Sequence, residues 1–239
     1  MITGIYLIAG KLIRIDSQYE AVHKLCKSYS AEGEPDIVVE ILQEDINSEK
    51  NKNLEIKPNQ SFEEDYLETL AVYRKISDKM LEYDTVLMHG SAIAVDGKGY
   101  IFIAKSGTGK STHTRLWREL FGKRAFMVND DKPLLKIKEE QALVYGTPWN
   151  GKHHLSTNTK IPLKAVCILE RGTENIIKQI SLLEALPRIL EQCYRPSGKD
   201  SLIKILDLID ILSKTVKFYH LQCNMEPEAA NVAYKAMTD

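Results

Sequence analysis

The chain has 239 residues, of which 44% are hydrophobic and 27% charged, with a formal net charge of −1. That length carries one large domain, or a domain with a smaller attached unit, and the near-neutral charge gives no support to a sequence-independent nucleic-acid binder, which needs an excess of Lys and Arg. No apolar run approaches the length of a membrane span; Cys26, Cys167, Cys193 and Cys223 form no Cys-x-x-Cys pair, so neither a zinc site nor a disulfide framework is indicated and a reducing cytoplasm is the expected compartment.

The first residues are apolar but lack a basic leader, and they run into the alternation Lys11-Leu12-Ile13-Arg14-Ile15-Asp16, which is strand pattern rather than a signal peptide. Residues 1–45 read as β-β-α-β, with a helix over residues 19–29 and a β-branched strand over 36–42. Residues 43–60 are rich in Asn, Lys and Glu with no apolar period, and predict a linker or mobile loop. Ser61-Phe62-Glu63-Glu64 has the capping-box arrangement, opening a helix whose Phe62, Tyr66, Leu70, Tyr73 and Met80 share one face and which joins the two halves.

Residues 86–95 and 99–104, separated by Asp96-Gly97-Lys98, predict an antiparallel hairpin with a tight turn. Its second strand leads directly into Ala104-Lys105-Ser106-Gly107-Thr108-Gly109-Lys110-Ser111-Thr112, followed by a helix with Leu116 over Leu120, Trp117 over Phe121, and Gly122 as a stop. Between an apolar strand and a helix, such a run reads as a phosphate-binding loop. Its glycines let backbone N–H groups close round phosphates, Lys110 reaches the outer ones, and the Ser111 hydroxyl can hold Mg²⁺. The helix start adds unpaired N–H donors and the positive end of the macrodipole.

A strand over 125–128 then ends in Asn129-Asp130-Asp131. Two adjacent carboxylates close to bound ATP can divide the labour, one positioning Mg²⁺ and the other accepting a proton from an attacking hydroxyl. A hairpin over 134–145 and a buried-type strand over 165–169 follow. The last seventy or so residues turn helical, with a capping box at Ser181-Leu182-Leu183-Glu184, a kink or break expected at Pro187, a strand over 216–222 and a helix opened by Pro227.

His89-Gly90, Ser106-Gly107-Thr108-Gly109-Lys110-Ser111 and Val128-Asn129-Asp130-Asp131 together resemble the catalytic half of HPr kinase/phosphorylase and, more distantly, phosphoenolpyruvate carboxykinase. The match covers residues 86–135. It implies a mixed α/β fold, a P-loop kinase core with a mixed sheet over residues 86–239, here with a small N-terminal α+β unit over 1–85. It implies ATP and Mg²⁺ as cofactors and transfer of the γ-phosphate to a serine hydroxyl. By position, Lys110 would hold the β/γ-phosphates, Ser111 and Asp131 would organise Mg²⁺, Asp130 would be the general base and His89 would sit near the transferred phosphoryl group. Ser106, Gly107, Thr108, Gly109 and Thr112 would complete the nucleotide cradle. The family's loop has Gly and Asp where this chain has Ala104 and Lys105, which puts the reverse reaction in doubt and leaves the kinase direction intact. The overall layout looks more like the HPr-kinase-related proteins found beside peptide-modification genes, including lasso-peptide kinases, which phosphorylate a serine of a precursor peptide.

The acceptor implied is a hydroxyl of a peptide, protein or small molecule, with no nucleic acid or membrane as partner; a homo-oligomer is left open. A small-molecule kinase on the same core and a nucleotide-sensing regulator are the competing readings, and the spare carboxylate argues against the second. No Asn/Thr-Lys-x-Asp segment follows the loop, so GTP preference is unsupported. Gly146-Thr147-Pro148-Trp149-Asn150-Gly151-Lys152-His153-His154 reads either as a shaped loop carrying Lys152 to an anionic substrate or as a turn anchored by Trp149. Arg171, Arg195 and the run Cys193-Tyr194-Arg195-Pro196 stay unassigned.

Overall fold

The computed structural model describes residues 1–56 and 60–238. The chain forms two compact units, Met1–Glu82 and Tyr83–Asp239. Among the described residues no helix is long and apolar enough to cross a membrane.

In the first unit β1 (Ile2–Ile8) and β2 (Lys11–Ser17) pair antiparallel, and β3 (Ile37–Glu40) adds parallel to β2. Helix α1 (Glu20–Leu25) lies between β2 and β3 in sequence, shorter than the periodicity predicts because residues 27–29 tighten into a 3₁₀ turn. Residues 43–56 are not a linker: they form helix α2 (Gln43–Ile56). Asp45 accepts a hydrogen bond from the Leu42 N–H at 2.8 Å, Ile46 is buried, and Glu49 is buried against Arg74 at 2.9 Å and Lys52 at 3.0 Å. The face that α2 buries is therefore partly a carboxylate, which an apolar-period search passes over. The rest of the expected linker, residues 57–59, lies outside the described residues.

Helix α3 (Glu64–Met80) begins later than the capping box requires, with Glu63 rather than Ser61 as N-cap and no side-chain cap. Glu64 accepts from the Tyr19 hydroxyl at 2.6 Å instead of reaching back to Ser61. Its buried face runs through Leu67, Ala71, Ile76 and Met80 with Tyr73, whereas Tyr66 is exposed.

The second unit is a nine-stranded mixed sheet with helices on it. Residues 86–95 are not one strand. They split into β4 (Thr85–Leu87) and β5 (Ser91–Val95), with a break at residues 88–90, because β4 pairs with β8 (Leu134–Ile137) and β5 pairs with β6 (Lys98–Ile103). The β5–β6 turn has Asp96 and Gly97 both at positive φ, the geometry that suits a two-residue hairpin. Strand β7 (Ala125–Asn129) pairs antiparallel with β5, and β9 (Ala142–Tyr145) with β8.

The twelve-residue β10 (Lys160–Arg171) ties the sheet together: Lys160, Ile161 and Pro162 pair antiparallel with β9, and the later residues pair parallel with β6 on one side and with β12 (Lys217–Cys223) on the other. Strand β11 (Ile176–Ile180), which the sequence pattern does not show, closes the edge against β12. Helix α4 (Lys110–Phe121) packs with α7 (Glu228–Thr238) over a core of Tyr100, Phe102, Leu116, Trp117, Cys167, Tyr219 and Ala230. Helix α5 (Leu182–Gln192) has the expected capping box and runs through Pro187 without a break. The carbonyl that Pro187 cannot serve belongs to Leu183, an exposed residue of the first turn. Helix α6 (Lys199–Thr215) precedes β12.

Candidate functional site

The order β6, loop, α4 fixes the first wall of the site. Gly107 and Gly109 have φ of +80° and +126°, which L side chains rarely adopt, and a Cβ at either would meet nothing within 4 Å. Backbone conformation, not space, is what requires glycine there. Gly109 is the N-cap of α4, no side chain caps it, and the first turn holds no acidic residue. The N–H groups of that turn have no intrahelical acceptors, so an anion meets donors and a favourable dipole.

Arg171, at the end of β10, reaches the loop. Its guanidinium donates to the Gly107 carbonyl at 2.5 Å and to the Thr108 carbonyl at 3.2 Å. These bonds engage the Gly107 and Thr108 carbonyls, and the Thr108 N–H turns back to the Lys105 carbonyl at 3.2 Å. Lys110 donates from Nζ to the Ala104 carbonyl at 3.0 Å, and burial lowers its pKa although the Asp131 charge opposes the shift.

The second wall grows from β7. Asn129 is fully buried; its amide nitrogen donates to the Thr147 carbonyl at 3.1 Å and the Trp149 carbonyl at 3.3 Å, while its oxygen accepts from the N–H groups of Asp131 at 2.8 Å and Lys132 at 2.7 Å. This one side chain holds the Asp-Asp turn and the segment 147–149 in register. Trp149 is buried, so the segment is anchored, and Lys152 still lines the cleft beyond it. The two readings of residues 146–154 are thus compatible.

Asp130 is 6% exposed and accepts from the Gly151 N–H at 2.6 Å through Oδ1. Asp131 pairs with His89 Nε2 at 3.1 Å and with the Lys132 ammonium. Burial pushes the Asp131 carboxyl up, but the His89 hydrogen bond and the Lys132 charge outweigh it and hold the group at about 2. His89 sits in the break between β4 and β5, its N–H bonded to the Gln192 carbonyl at 2.7 Å, and Cys193 bridges to Met88 beside it.

One cleft of about 810 Å³ is lined by His89, Ser106, Gly107, Gly109, Lys110, Ser111, Thr112, Asp130 and Asp131, with Arg115, Arg118, Gly151, Lys152 and His153. Of the candidate residues only Thr108 is turned away from it, and its carbonyl is taken by Arg171. His154 points to Asn150 at 3.2 Å, and no group of three or more His, Cys, Asp or Glu side chains that could hold a metal occurs among the described residues. Ser111 and Asp131 offer hard oxygen donors, the kind Mg²⁺ takes when substrate phosphates and water complete its shell. Sequence reasoning missed the contacts of Asn129, Gly151 and Arg171 with Thr147, Asp130 and the loop carbonyls, which are far away in sequence, and that of Lys132 with its neighbour Asp131.

No family model matches the sequence, and no curated protein does. Among solved structures, the Hpr(Ser) kinase/phosphatase from Coxiella burnetii overlaps 64% of this chain and 99% of its own at 11% identity, with a TM-score of 0.35. A likeness this loose establishes neither fold family nor activity.

Proposed function

We propose that the protein is an ATP- and Mg²⁺-dependent kinase with a P-loop core that transfers the γ-phosphate to a hydroxyl, in first place a serine of a peptide or protein. The observation that carries this reading is the single cleft in which Lys110 and Ser111 of the glycine-rich loop face Asp130 and Asp131. The amides of the loop and of the first turn of α4 bind the phosphates, and Lys110 takes the outer ones. Ser111 and Asp131 would hold Mg²⁺, which supplies charge neutralisation at the β- and γ-phosphate oxygens. Asp131 must then exchange Lys132 for the cation.

Asp130 receives the proton of the acceptor hydroxyl as the new O–P bond forms and the bond from the γ-phosphorus to the bridging oxygen breaks, releasing ADP. His89, which lines the cleft and is bonded to Asp131 through Nε2, would sit near the transferred phosphoryl group. A small-molecule hydroxyl kinase would use the same machinery. A nucleotide sensor would not need Asp130 to be turned into the cleft.

The test is transfer from γ-labelled ATP with Mg²⁺ to serine peptides, free serine and small polyols. Label on a peptide and not on the small acceptors supports the peptide reading, and the reverse result supports the metabolite reading. Retained ATP binding with no transfer to any acceptor, in wild type as in Asp130→Asn, would leave only the sensor.

A further inference from the structure

The cleft of the glycine-rich loop extends beyond the residues that phosphates need. Ser111, Arg115 and Arg118 follow one another on α4 at helical spacing, so they share the face of the helix that lines it. At about 1.5 Å of rise per residue, Arg115 lies about 6 Å and Arg118 about 10 Å along the axis from Ser111. Lys152 lines the same cleft, directly after Gly151, the residue whose N–H holds Asp130 Oδ1.

The chain does not match these cations. Asp130 and Asp131 are the carboxylates that line the cleft among the described residues, and in the reading above one takes the acceptor proton and the other holds Mg²⁺. Arg115 donates to Glu119 at 2.9 Å, an exposed pair one helical turn apart. Arg118 and Lys152 make no side-chain hydrogen bond or ion pair among the described residues, and the Nε of Arg118 is buried without a partner. Elsewhere in the same unit cations are paired, Arg124 with Asp96 at 2.5 Å and Arg188 with Glu191 at 2.8 Å. Arg118 is half-buried, so it has given up water without gaining a protein acceptor. An anion brought in from outside the chain would redress that.

We infer that this end of the cleft selects an acceptor peptide that carries an Asp or Glu two or three residues from the serine that receives phosphate. The inference rests on the kinase reading above and names the chemistry of its acceptor. An extended chain covers about 3.3 Å per residue, so two or three residues span about 7–10 Å, the same reach as from Ser111 to Arg118 along α4. A guanidinium takes a carboxylate through two parallel N–H···O bonds, which gives orientation as well as attraction. Lys152 adds a point charge, and Arg115 can exchange Glu119 for the ligand because both are exposed. A basic peptide meets repulsion at the same place.

The full chain is tested with Mg²⁺, γ-labelled ATP and a set of serine peptides in which Glu replaces Gln one position at a time, from three residues before the serine to three after. A Glu two or three residues from the serine, on one side or the other, should raise kcat/KM roughly ten-fold or more over its Gln counterpart, mainly through KM, and the preference should shrink as salt is raised. Arg118→Gln should reduce the preference to about three-fold or less, and Arg118→Glu should reverse it in favour of a Lys peptide, a gain that a misfolded variant cannot give. Lys152 is exposed, so Lys152→Gln tests the charge where folding is not at stake, and it should remove part of the preference. Transfer at the same kcat/KM to Glu and Gln peptides at every position overturns the inference and spares the kinase reading. So does a preference that survives in both Arg118→Gln and Lys152→Gln, or a rise in the KM for ATP in Arg118→Gln with the peptide preference intact. Failure of every peptide to accept phosphate overturns the inference together with the peptide-kinase reading.

Discussion

Buried carboxylates occur in both units, and they are used differently. In the first unit Glu68 is fully buried and both of its oxygens accept backbone N–H groups, from Gln18 at 2.6 Å and Tyr19 at 2.9 Å. Glu49, 2% exposed, is gripped by Arg74 and Lys52. In the second unit Asp130 is nearly as buried and lines the cleft, yet the Gly151 N–H, on Oδ1, is the one hydrogen bond its carboxylate receives among the described residues. A carboxylate with both oxygens engaged by the chain is a strut. One held by a single oxygen keeps acceptor capacity for a ligand.

The sharpest way to break that contrast is Asp130→Asn. Asparagine keeps the shape and can still accept from Gly151 through its oxygen, but it cannot take a proton. Transfer should fall about 10²–10⁴-fold, the usual worth of a positioned base, with nucleotide affinity preserved. Wild-type turnover in the variant, measured with γ-labelled ATP, removes Asp130 from the chemistry. Glu68→Ala tests the other side. It leaves the Gln18 and Tyr19 N–H groups without their acceptor, and at about 1–3 kcal/mol per buried unsatisfied donor, discounted for the exposure of Gln18, the loss should be about 2–4 kcal/mol in urea unfolding. A variant as stable as the parent would mean that water replaces the carboxylate, and Glu68 would be no strut.

Asp131 lies between the two types, since His89 and Lys132 take its oxygens but both partners are side chains that a ligand can displace. Its folded pKa of about 2 is depressed below the ordinary Asp value of about 3.9. The stabilisation is therefore present above about pH 4 and lost as pH falls through about 2, and a gap near two units is worth on the order of 2 kcal/mol. In His89→Ala the hydrogen bond that helps to hold the group down is gone, so that loss should begin at higher pH. Stability curves for parent and variant that superimpose throughout the acid range would show that His89 does not stabilise the Asp131 anion.

What the sequence made legible follows from how local each feature is. Gly107, Gly109, Lys110 and Ser111 lie within a few residues of one another, and the Asp-Asp pair directly follows the next strand, so spacing alone picks them out as candidates. Asn129 reads as an ordinary strand-end polar residue, because its partners Thr147 and Trp149 are 18 and 20 residues away. Arg171 reaches the loop across 63 and 64 residues. The same reasoning separates the fold errors. The continuous apolar run 86–95 hides a change of pairing partner from β8 to β6, and α2 is anchored by Glu49 rather than by an apolar stripe. Periodicity reports which faces are apolar, and is silent where a charge does the packing.

The smallest expected effect is also the most local. A Cβ at Gly151 would lie 3.2 Å from Asp130 Oδ2 and 3.4 Å from Oδ1, tighter than nearly all real contacts, so Gly151→Ala must move the carboxylate by a few tenths of an ångström. The same residue's N–H holds Oδ1, so the displacement cannot be relieved without stretching that bond. A misplacement of about 1 Å costs roughly 10²-fold in a positioned reaction, and one of a few tenths should cost about 3- to 10-fold in kcat, with stability changed by about 0.5 kcal/mol or less. ATP affinity should hold, because Gly151 lies on the wall opposite the phosphate loop. If kcat is unchanged while the crystal structure of the variant shows the carboxylate shifted, the position of Asp130 is not limiting, and its role must be electrostatic rather than that of a base in contact with the acceptor.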